Sequence, residues 1–374
     1  MNFTINQKDF YHGVQIVQRA VASRSTLPIL KGIYLEAVKD KGLKLIANNL
    51  EMGIEYWVEA NIIEEGVFVL PANELSNILR ELPADEISFQ VDEGNYQAKI
   101  KCLNSRFTLK GYQADEFPQL PEVEGALSFN FNSLTLKEMI EEVKFSTSTD
   151  QTQPTLTGGL LVLSPGEISL VATNTYRLAH SKRKLNDNLN ELDKEIKVIL
   201  PGTTLNELNH LIVDEEEGEM NILLNESYVR FSFNEIVFIS RLIEGQFPNY
   251  KQVIPVDFKS SVKIDRIEFL NAVKRVSLIA RLDSNVITLA VNRDQMSISS
   301  TSTEYGDALE LVEIELEGEE QTINIDANYL MDVLRTLKNE LVNILLIGPM
   351  NPLTIKKYPE DEYIYLIMPI RPGS

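Results

Sequence analysis

One stretch of the sequence, residues 67–82, shows the pattern on which the whole chain is built. It begins with four residues typical of a short strand, Val67 to Leu70, and Pro71 then interrupts that run. Apolar residues follow at Leu75, Ile78, Leu79 and Leu82, which is the i, i+3, i+4, i+7 spacing of a helix with one buried face. The stretch therefore predicts a strand, a tight corner and an amphipathic helix.

The same pattern recurs along the chain at nearly regular spacing. Leu70 is followed by apolar residues 5, 9 and 12 positions later, and the same test can be applied to other anchors. The five further anchors are Ile5, Phe131, Leu200, Ile264 and Ile325. Of the 18 positions tested in the six copies, 17 are apolar, and the exception is Asn209. Successive anchors are 65, 61, 69, 64 and 61 residues apart, which indicates internal repetition.

Length and repetition together predict three domains in an α+β fold. A chain of 374 residues exceeds one ordinary core, and the six units group naturally in pairs. We expect domains at 1–121, 127–253 and 259–374, with proline-containing linkers at 117–125 and 247–255. Helices are predicted at roughly 8–22, 73–82, 135–146, 203–212, 266–281 and 328–339. Each unit continues with three further strands, which favours mostly antiparallel sheets.

Composition and charge narrow the functional classes. A net charge of −20 argues against a simple nucleic-acid binder, but the predicted helices carry slightly more basic than acidic residues. The acid is concentrated elsewhere, in runs such as 214–217 and 315–320. The single cysteine, Cys102, excludes internal disulfides and favours a cytoplasmic protein. No apolar run is long enough to cross a membrane, and the N-terminus lacks the pattern of a signal peptide.

Catalytic motifs are missing from the sequence. The three histidines, His12, His180 and His210, are not at metal-ligand spacing, and no nucleophile elbow, phosphate loop or dinucleotide motif is present. We therefore expect a protein that is not an enzyme and that needs no cofactor or metal. Two alternatives remain open at this point: an acidic scaffold built of repeats that binds only proteins, and a β-rich hydrolase that uses acidic residues.

Six short segments, spread over nearly the whole chain, carry a specific resemblance. They read T-L-P-I-L at 26–30, N-N-L-E-M at 48–52, V-A-T-N-T-Y-R-L-A at 171–179, E-G-Q-F-P-N-Y-K-Q-V-I-P at 244–255, Y-L-M-D-V-L at 329–334 and Y-L-I-M-P-I-R at 365–371. In this order they resemble the bacterial DNA polymerase III beta subunits, the replicative sliding clamps. The resemblance implies the DNA clamp fold, with two helices and two antiparallel sheets in each of three domains. It also implies a head-to-tail homodimer that closes into a ring around double-stranded DNA and does not read its sequence.

The resemblance further implies a pocket for short apolar peptides of the Gln-Leu-x-Leu-Phe kind. Such peptides would come from the replicative polymerase, the clamp loader and repair proteins. The matching positions here are Leu156, Thr173, Thr175, Tyr176, Arg177, Leu178, Pro248, Val253, Leu366, Met368, Pro369, Ile370 and Arg371. Thr175 stands where many relatives have glycine, and Gln252 stands where some have arginine. These two departures bear on which peptides the pocket prefers.

Two more surfaces follow from the resemblance and from helix position. The dimer seam is expected at Phe107, Leu109, Leu278 and Ile279. The residues expected to face DNA are Arg24, Arg80, Lys274 and Arg275. The first two of these arginines match family positions, whereas Lys274 and Arg275 are placed by their position on a helix alone.

Overall fold

The computed structural model of the protein describes residues 1–22, 25–92, 94–124, 127–185, 194–214, 218–359 and 362–371. Within those ranges the chain forms six α-helices and 26 strands in four sheets. The helices are α1 (Gln7–Gln18), α2 (Ala72–Glu81), α3 (Ser133–Lys144), α4 (Gly202–Leu211), α5 (Arg266–Ala280) and α6 (Ala327–Thr336). None of the described helices combines the length and the apolar character that crossing a lipid bilayer requires.

The chain divides into two compact units, and the first comprises residues 1–134 and 210–242. One sheet of this unit contains β1 (Asn2–Asn6), β5 (Asn61–Glu64), β7 (Glu86–Asp92), β8 (Gln97–Cys102) and β9 (Ser105–Lys110), in the order β5-β1-β7-β8-β9. The other contains β2 (Gly32–Val38), β3 (Gly42–Asn48), β4 (Met52–Val58), β6 (Gly66–Pro71), β10 (Leu127–Asn132), β15 (Glu219–Leu224), β16 (Tyr228–Phe233) and β17 (Ile236–Arg241). Its order is β10-β15-β16-β17-β4-β3-β2-β6.

The second unit comprises residues 135–209 and 243–374 and also holds two sheets. The larger contains β11 (Gly158–Ser164), β12 (Glu167–Thr173), β13 (Arg177–Lys184), β14 (Ile196–Pro201), β18 (Ser260–Asp265), β22 (Glu315–Gly318), β24 (Leu341–Leu346), β25 (Leu353–Lys357) and β26 (Tyr363–Ile367). Its order is β14-β11-β12-β13-β26-β25-β24-β18-β22. The smaller contains β19 (Val286–Val291), β20 (Gln295–Ser302), β21 (Gly306–Glu313) and β23 (Gln321–Asp326), in the order β21-β20-β19-β23.

The strand before each helix joins three strands that come from the neighbouring repeat. In the first two repeats, β1 pairs with β7 and β6 pairs with β2. In the next two, β10 pairs with β15 and β14 pairs with β11. In the last two, β18 pairs with β24 and β23 pairs with β19. All strand pairs of the described chain are antiparallel, as predicted. The exchange occurs three times in the same form, which confirms the internal repetition.

The burial of the repeat pattern explains why these segments fold as they do. All 17 apolar test positions are buried, and so are the six anchors, whereas Asn209 is half-buried. In α1, α5 and α6 the last residue of the preceding strand caps the helix, because Asn6, Asp265 and Asp326 each accept a hydrogen bond from an N–H of the first turn. All six helices begin within two residues of the predicted starts. α1 ends at Gln18, earlier than predicted, because the following N–H groups bond to carbonyls three residues back.

Two strand pairings join segments that are far apart in the sequence. In the first unit, β17 pairs with β4 and places Ser240 opposite Met52. In the second unit, β26 pairs with β13 and places Leu366 opposite Leu178. The strands of the middle third of the chain are therefore divided, with β10 and β15–β17 in a sheet of the first unit and β11–β14 in a sheet of the second.

A buried carboxylate ties α3 to the strands of the second unit. The Glu142 carboxylate lies 3.0 Å from Arg183 and 2.6 Å from Lys357, and the Ser181 hydroxyl donates to it at 2.6 Å. The Tyr363 hydroxyl donates to the Glu142 carbonyl oxygen at 3.0 Å. The side chains of Glu142, Lys357 and Arg183 are only 7, 10 and 12% exposed. Because all three charges are largely removed from water, each depends on its partners.

Replacing this carboxylate should destabilise the fold. Glu142→Gln removes the most buried carboxylate beside Arg183 and Lys357 and leaves Arg183 facing the more exposed carboxylates of Glu138 and Glu362, each at 3.8 Å, so we expect the free energy of unfolding to fall by about 3 kcal/mol. The matched control is Glu138→Gln, one turn earlier, whose carboxylate is 54% exposed and 3.8 Å from the same arginine. The control should change stability by no more than about 0.5 kcal/mol. Guanidinium denaturation followed by circular dichroism compares them, and equal losses would contradict the assignment.

Candidate functional site

The last strand of the chain brings the segments predicted for the peptide pocket together. β26 pairs with β13 so that Ile367 lies opposite Arg177, and the pairing continues beyond the strand. The Met368 N–H donates to the Tyr176 carbonyl oxygen at 2.8 Å. We call the surface formed by residues 154–156, 173–178, 247–254 and 366–371 the client groove.

The client groove has an apolar floor and an exposed apolar rim. Leu178 and Leu366 belong to a buried cluster whose other members are Leu160, Val162, Val171, Ile199 and Tyr250. Above them, Tyr176 is 64% exposed, Val253 is 47% exposed and Met368 is 40% exposed. Accessible apolar side chains above an apolar floor suit an aliphatic or aromatic anchor from a partner.

The outer parts of the client groove are held by backbone contacts. Leu156 is buried at the end of a short 3-10 turn, Pro154–Leu156, and the adjacent Thr155 lies against Gly245. At the other end, the Ile370 N–H donates to a carbonyl oxygen of β23 at 2.8 Å. Pro369 and Ile370 are half-buried, whereas Pro248 and Arg371 are exposed. The structure thus gathers every predicted pocket residue within one compact unit.

The turn between β12 and β13 holds Thr175 in a left-handed backbone conformation, with φ at +76°. The Thr173 hydroxyl accepts the Thr175 N–H at 3.2 Å and donates to the Arg177 carbonyl oxygen at 2.7 Å. Asn174 Oδ1 accepts the N–H groups of Tyr176 and Arg177 at 3.1 and 3.0 Å. A β-branched residue is strained at such a φ, which explains physically why glycine suits this position.

Arg177 binds the client groove to α6. Its guanidinium lies 2.6 Å from the Asp332 carboxylate and donates to the Phe145 carbonyl oxygen. It also stacks on the rings of Tyr329 and Phe145, at 4.5 and 5.5 Å from their centroids. Its side chain is only 11% exposed, so these contacts hold Arg177 firmly, next to Tyr176 in the chain.

A histidine to which the sequence gave no role lies beneath the client groove. His180 is 7% exposed, and its ring centroid lies 5.3 Å from that of Tyr250. Neither ring nitrogen has a hydrogen-bond partner among the residues described. Burial, together with the positive charges of Lys182 and Lys251, lowers the pKa of His180 to about 4. The imidazole is therefore neutral at physiological pH.

The predicted seam residues of the first unit lie on an open sheet edge. β9 is the outermost strand of the five-stranded sheet. Phe107 and Leu109 lie opposite Ile100 and Ala98, so they face the same side as the core residues of β8. Phe107 is nevertheless 39% exposed, because no strand covers that edge in the described chain.

The predicted seam residues of the second unit lie beside another open edge. Leu278, half exposed, and Ile279, half-buried, lie on α5. β21 is the outermost strand of the four-stranded sheet, and it exposes Leu309 and Leu311 by 62 and 55%. The sequence analysis missed these two leucines, although their alternation with Glu310 is the period-two signal of a strand.

The residues predicted to face DNA differ in their surroundings. Arg24 lies outside the described residues. Arg80 is exposed in the last turn of α2, and Lys274 is exposed on α5. Arg275 forms a bidentate pair with Glu310, with both N–O distances at 2.8 Å. This hydrogen bonding raises the pKa of Arg275 and lowers that of Glu310, so Glu310 competes with phosphate for Arg275.

A polar groove of ≈ 560 Å³, which the sequence analysis did not identify, lies in the first unit between α1 and the end of α4. Its polar lining residues are His12, Gln15, Gln18, Arg19, Tyr56, His210 and Asn234. Gln18 also donates to Asn73 of α2 at 3.0 Å, so α1 and α2 share this surface. The signal for this groove in the sequence was the set of polar residues on the solvent-facing side of α1. Neither here nor elsewhere in the described residues are three His, Cys, Asp or Glu side chains grouped to hold a metal ion.

Comparison with known protein families gives three consecutive matches. The model for the N-terminal domain of the DNA polymerase III beta subunit matches residues 1–121. The model for the central domain matches residues 130–249, and that for the C-terminal domain matches residues 251–371.

Individual relatives and solved structures match over the whole chain. The beta sliding clamps of Staphylococcus aureus and Bacillus subtilis are both 33% identical, covering 99% of this chain and 99% and 100% of their own. A crystal structure of the B. subtilis clamp superposes with a TM-score of 0.94 at 32% identity, covering 100% of this chain and 99% of that one. A Pseudomonas aeruginosa clamp bound to griselimycin superposes with a TM-score of 0.93 at 28% identity, covering all of both chains.

The burial of His180 predicts a specific loss of stability in acid. Its folded-state pKa of about 4 lies below the ordinary value of 6.5, so the unfolded chain takes up this proton first as the pH falls. The stability contribution is therefore present above pH 6.5 and is lost towards pH 4, by about 3 kcal/mol. His180→Phe should remove this share of the pH dependence, measured by urea unfolding at pH 7 and at pH 4. Parallel stability curves for the two proteins would contradict the prediction.

Proposed function

Because this chain belongs to the DNA polymerase III beta subunit family, we propose that two copies assemble head to tail into a ring around double-stranded DNA. The chain is a DNA sliding clamp, a processivity factor and not an enzyme. We assign its three clamp domains to 1–121, 127–253 and 259–374, and the ranges of the matched family models support that assignment. The alternative of an acidic scaffold without DNA is not favoured, since the relatives are sliding clamps.

The observation that carries the ring proposal is a pair of open sheet edges with opposite charge. β9 exposes Arg106 and Lys110, while β21 exposes Asp307 and Glu313. An unpaired edge presents a row of free backbone donors and acceptors, and pairing β9 with the partner's β21 would satisfy both rows. The arrangement also suits the predicted seam, because Phe107 and Leu109 of one copy would meet Leu278 and Ile279 of the other. Each copy offers both edges, so two copies can close.

A ring needs only weak contact with DNA, because topology rather than affinity keeps it in place. Arg80 has an exposed guanidinium and Lys274 an exposed amine. With Arg24, they would attract phosphates without reading bases. Arg275 would contact a phosphate only after that phosphate replaces the Glu310 carboxylate as its partner. We add Arg19 to this set, since it lines the groove between α1 and α4. The acidic net charge of −20 then keeps DNA away from the rest of the surface.

The client groove is the proposed docking site for the replicative polymerase, the clamp loader and repair proteins. Buried leucines form its floor, and Tyr176, Val253 and Met368 give it an apolar rim, so Leu and Phe anchors of a Gln-Leu-x-Leu-Phe peptide would fit. Met368 is unbranched and adaptable, which suits several different clients. We also propose that the protein works in the cytoplasm, where its single buried thiol, Cys102, stays reduced.

The test of the ring uses circular DNA. Wild-type protein loaded on a nicked circular plasmid should stay bound through gel filtration and should be released when the plasmid is cut once, because only a closed ring slides off an end. Release should occur at a salt concentration that leaves binding to the intact circle unchanged. Equal retention on circular and linear DNA would contradict encirclement.

The matched control for the same experiment opens the seam. Phe107→Asp with Leu278→Asp places a charge at each side of the proposed seam and should yield folded monomers by light scattering. Those monomers should not be retained on the circle. Both residues are partly exposed in one copy, so the fold should survive. A dimeric mass after both changes would contradict the seam.

The test of the client groove uses the C-terminal segment. β26 ends at Ile367, so deleting residues 368–374 keeps the strand and removes Met368 from the rim together with the segment that follows it. We expect that deletion to abolish binding of a Gln-Leu-Glu-Leu-Phe peptide in titration calorimetry while the dimer persists. Met368→Ala alone should weaken binding by roughly 1–2 kcal/mol, as truncating an interface anchor does. Unchanged affinity in the shortened protein would contradict the assignment.

A further inference from the structure

The turn between β3 and β4, in the first unit, has the same backbone form as the turn in the client groove. Leu50 has a φ of +75°, and Thr175 has a φ of +76°. Each residue is the third of a four-residue segment that follows an alanine, Asn48 to Glu51 in one case and Thr173 to Tyr176 in the other. A left-handed leucine is uncommon, so the shared conformation reflects a shared construction.

Three side-chain hydrogen bonds of one turn have counterparts in the other. Asn48 Oδ1 accepts the Leu50 N–H at 2.7 Å, as the Thr173 hydroxyl accepts the N–H two residues later. Asn49 Oδ1 accepts the N–H groups of Glu51 and Met52 at 3.0 and 2.8 Å. Asn174 Oδ1 likewise accepts the N–H groups two and three residues later. The same side-chain positions therefore fix both turns.

The strand that completes the surface is equivalent as well. The Arg241 N–H, at the end of β17, donates to the Glu51 carbonyl oxygen at 2.8 Å, and the Met368 N–H donates to the Tyr176 carbonyl oxygen at the same distance. A linker that begins Phe-Pro crosses beside each join, starting at 117 in the first unit and at 247 in the second. In the first unit, the Asn48 side-chain amide holds that linker by donating to the Pro118 carbonyl oxygen at 3.2 Å.

These parts enclose a cavity of ≈ 170 Å³ in the first unit. Its apolar lining residues are Leu50, Met52, Pro118, Pro121, Tyr228 and Ile239. Leu50 projects at its mouth and is 56% exposed. We call the surface formed by residues 48–53, 118–121, 228 and 239 the junction groove. It has the size and the apolar walls to hold one aliphatic or aromatic side chain.

The charge around the junction groove differs from that of the client groove. Glu51 lines it at the position where the client groove has Tyr176. Glu116 and Glu122 are exposed and flank the linker prolines that line the cavity. The corresponding linker of the client groove carries Lys251 instead. Arg241, exposed beside Glu51, adds one positive charge, but the three carboxylates of Glu51, Glu116 and Glu122 leave the surroundings of the cavity acidic, which complements a segment that carries a basic residue beside its apolar anchor.

We propose that the junction groove is a second docking site on this clamp. Its occupant is a short extended segment of a partner protein that presents an aliphatic or aromatic side chain next to a lysine or arginine. The inference rests on the proposed client groove, because the equivalence of the two constructions is what gives the junction groove its function. The two sites both accept an apolar anchor but prefer flanking residues of different charge, so one ring can hold two kinds of partner at once.

The test titrates the full chain with the peptide Lys-Leu-Lys-Leu-Phe in a calorimeter. We expect two binding events per protomer, of which deletion of residues 368–374 removes one and Leu50→Asn removes the other. Asparagine accepts a left-handed backbone more readily than leucine does, so this variant loses the apolar contact without straining the turn. The affinity of the second event should fall at least tenfold, as expected when an interface anchor is truncated. Exchanging both peptide lysines for glutamate should weaken it by about fivefold in the shortened protein.

Leu103→Asn is the matched control. Leu103 is also 56% exposed with a positive φ, +48°, but it lies in the turn between β8 and β9. This variant should keep both events. A single event in the wild type that the deletion abolishes would overturn the junction groove and leave the client groove standing. A single event that only Leu50→Asn abolishes would support the junction groove and would mean that the peptide lysines keep it out of the client groove. A second event that survives Leu50→Asn would overturn the proposal.

Discussion

Backbone pairing between strands that are far apart in the sequence, β17 with β4 and β26 with β13, is the interaction on which the rest of the structure depends. A three-stranded meander leaves an edge whose N–H and C=O groups must be satisfied. Here the edge of one repeat is satisfied by the final strand of a later one, so each join is a continuous sheet. The chain must then cross over the join to reach its next repeat. A linker that begins Phe-Pro therefore lies beside a turn that hydrogen bonds hold in place. The client groove and the junction groove both form between such a linker and such a turn.

Buried charges specify the register in which β13 pairs with β26 in the second unit. Glu142 of α3 contacts Arg183 of β13 and Lys357 of β25, while Arg177 of β13 contacts Asp332 of α6. A shift of one residue between β13 and β26 would turn these side chains to the opposite face and leave their charges without partners. The ion pairs therefore select one register, whether or not they add net stability. That register also places Met368 beside Tyr176, so the rim of the client groove depends on charges lying below it.

The same rule for sheet edges accounts for assembly. Among the outermost strands of the described sheets, β9 and β21 expose apolar side chains at Phe107, Leu309 and Leu311 and carry opposite charges. Natural proteins rarely leave such edges unprotected, and opposite charges on the two strands favour a contact between copies over random aggregation. The proposed ring is thus the continuation, between molecules, of the pairing that joins repeats within one molecule. Arg275 and Glu310 lie at this edge, which links the proposed seam to the proposed DNA-facing surface.

The sequence by itself determined what depends on neighbouring residues. Helical periodicity placed the buried stripes of six helices, because spacing along a helix fixes which side chains share a face. The resemblance supplied the pocket residues, including the position where Thr175 takes a left-handed conformation. Only the tertiary structure decided the exchange of strands, the division of the middle third of the chain, the burial of His180, the partner of Arg275 and the cavity behind Leu50. These features depend on hydrogen bonds and packing between residues tens to hundreds of positions apart, and local patterns do not specify which distant edges meet.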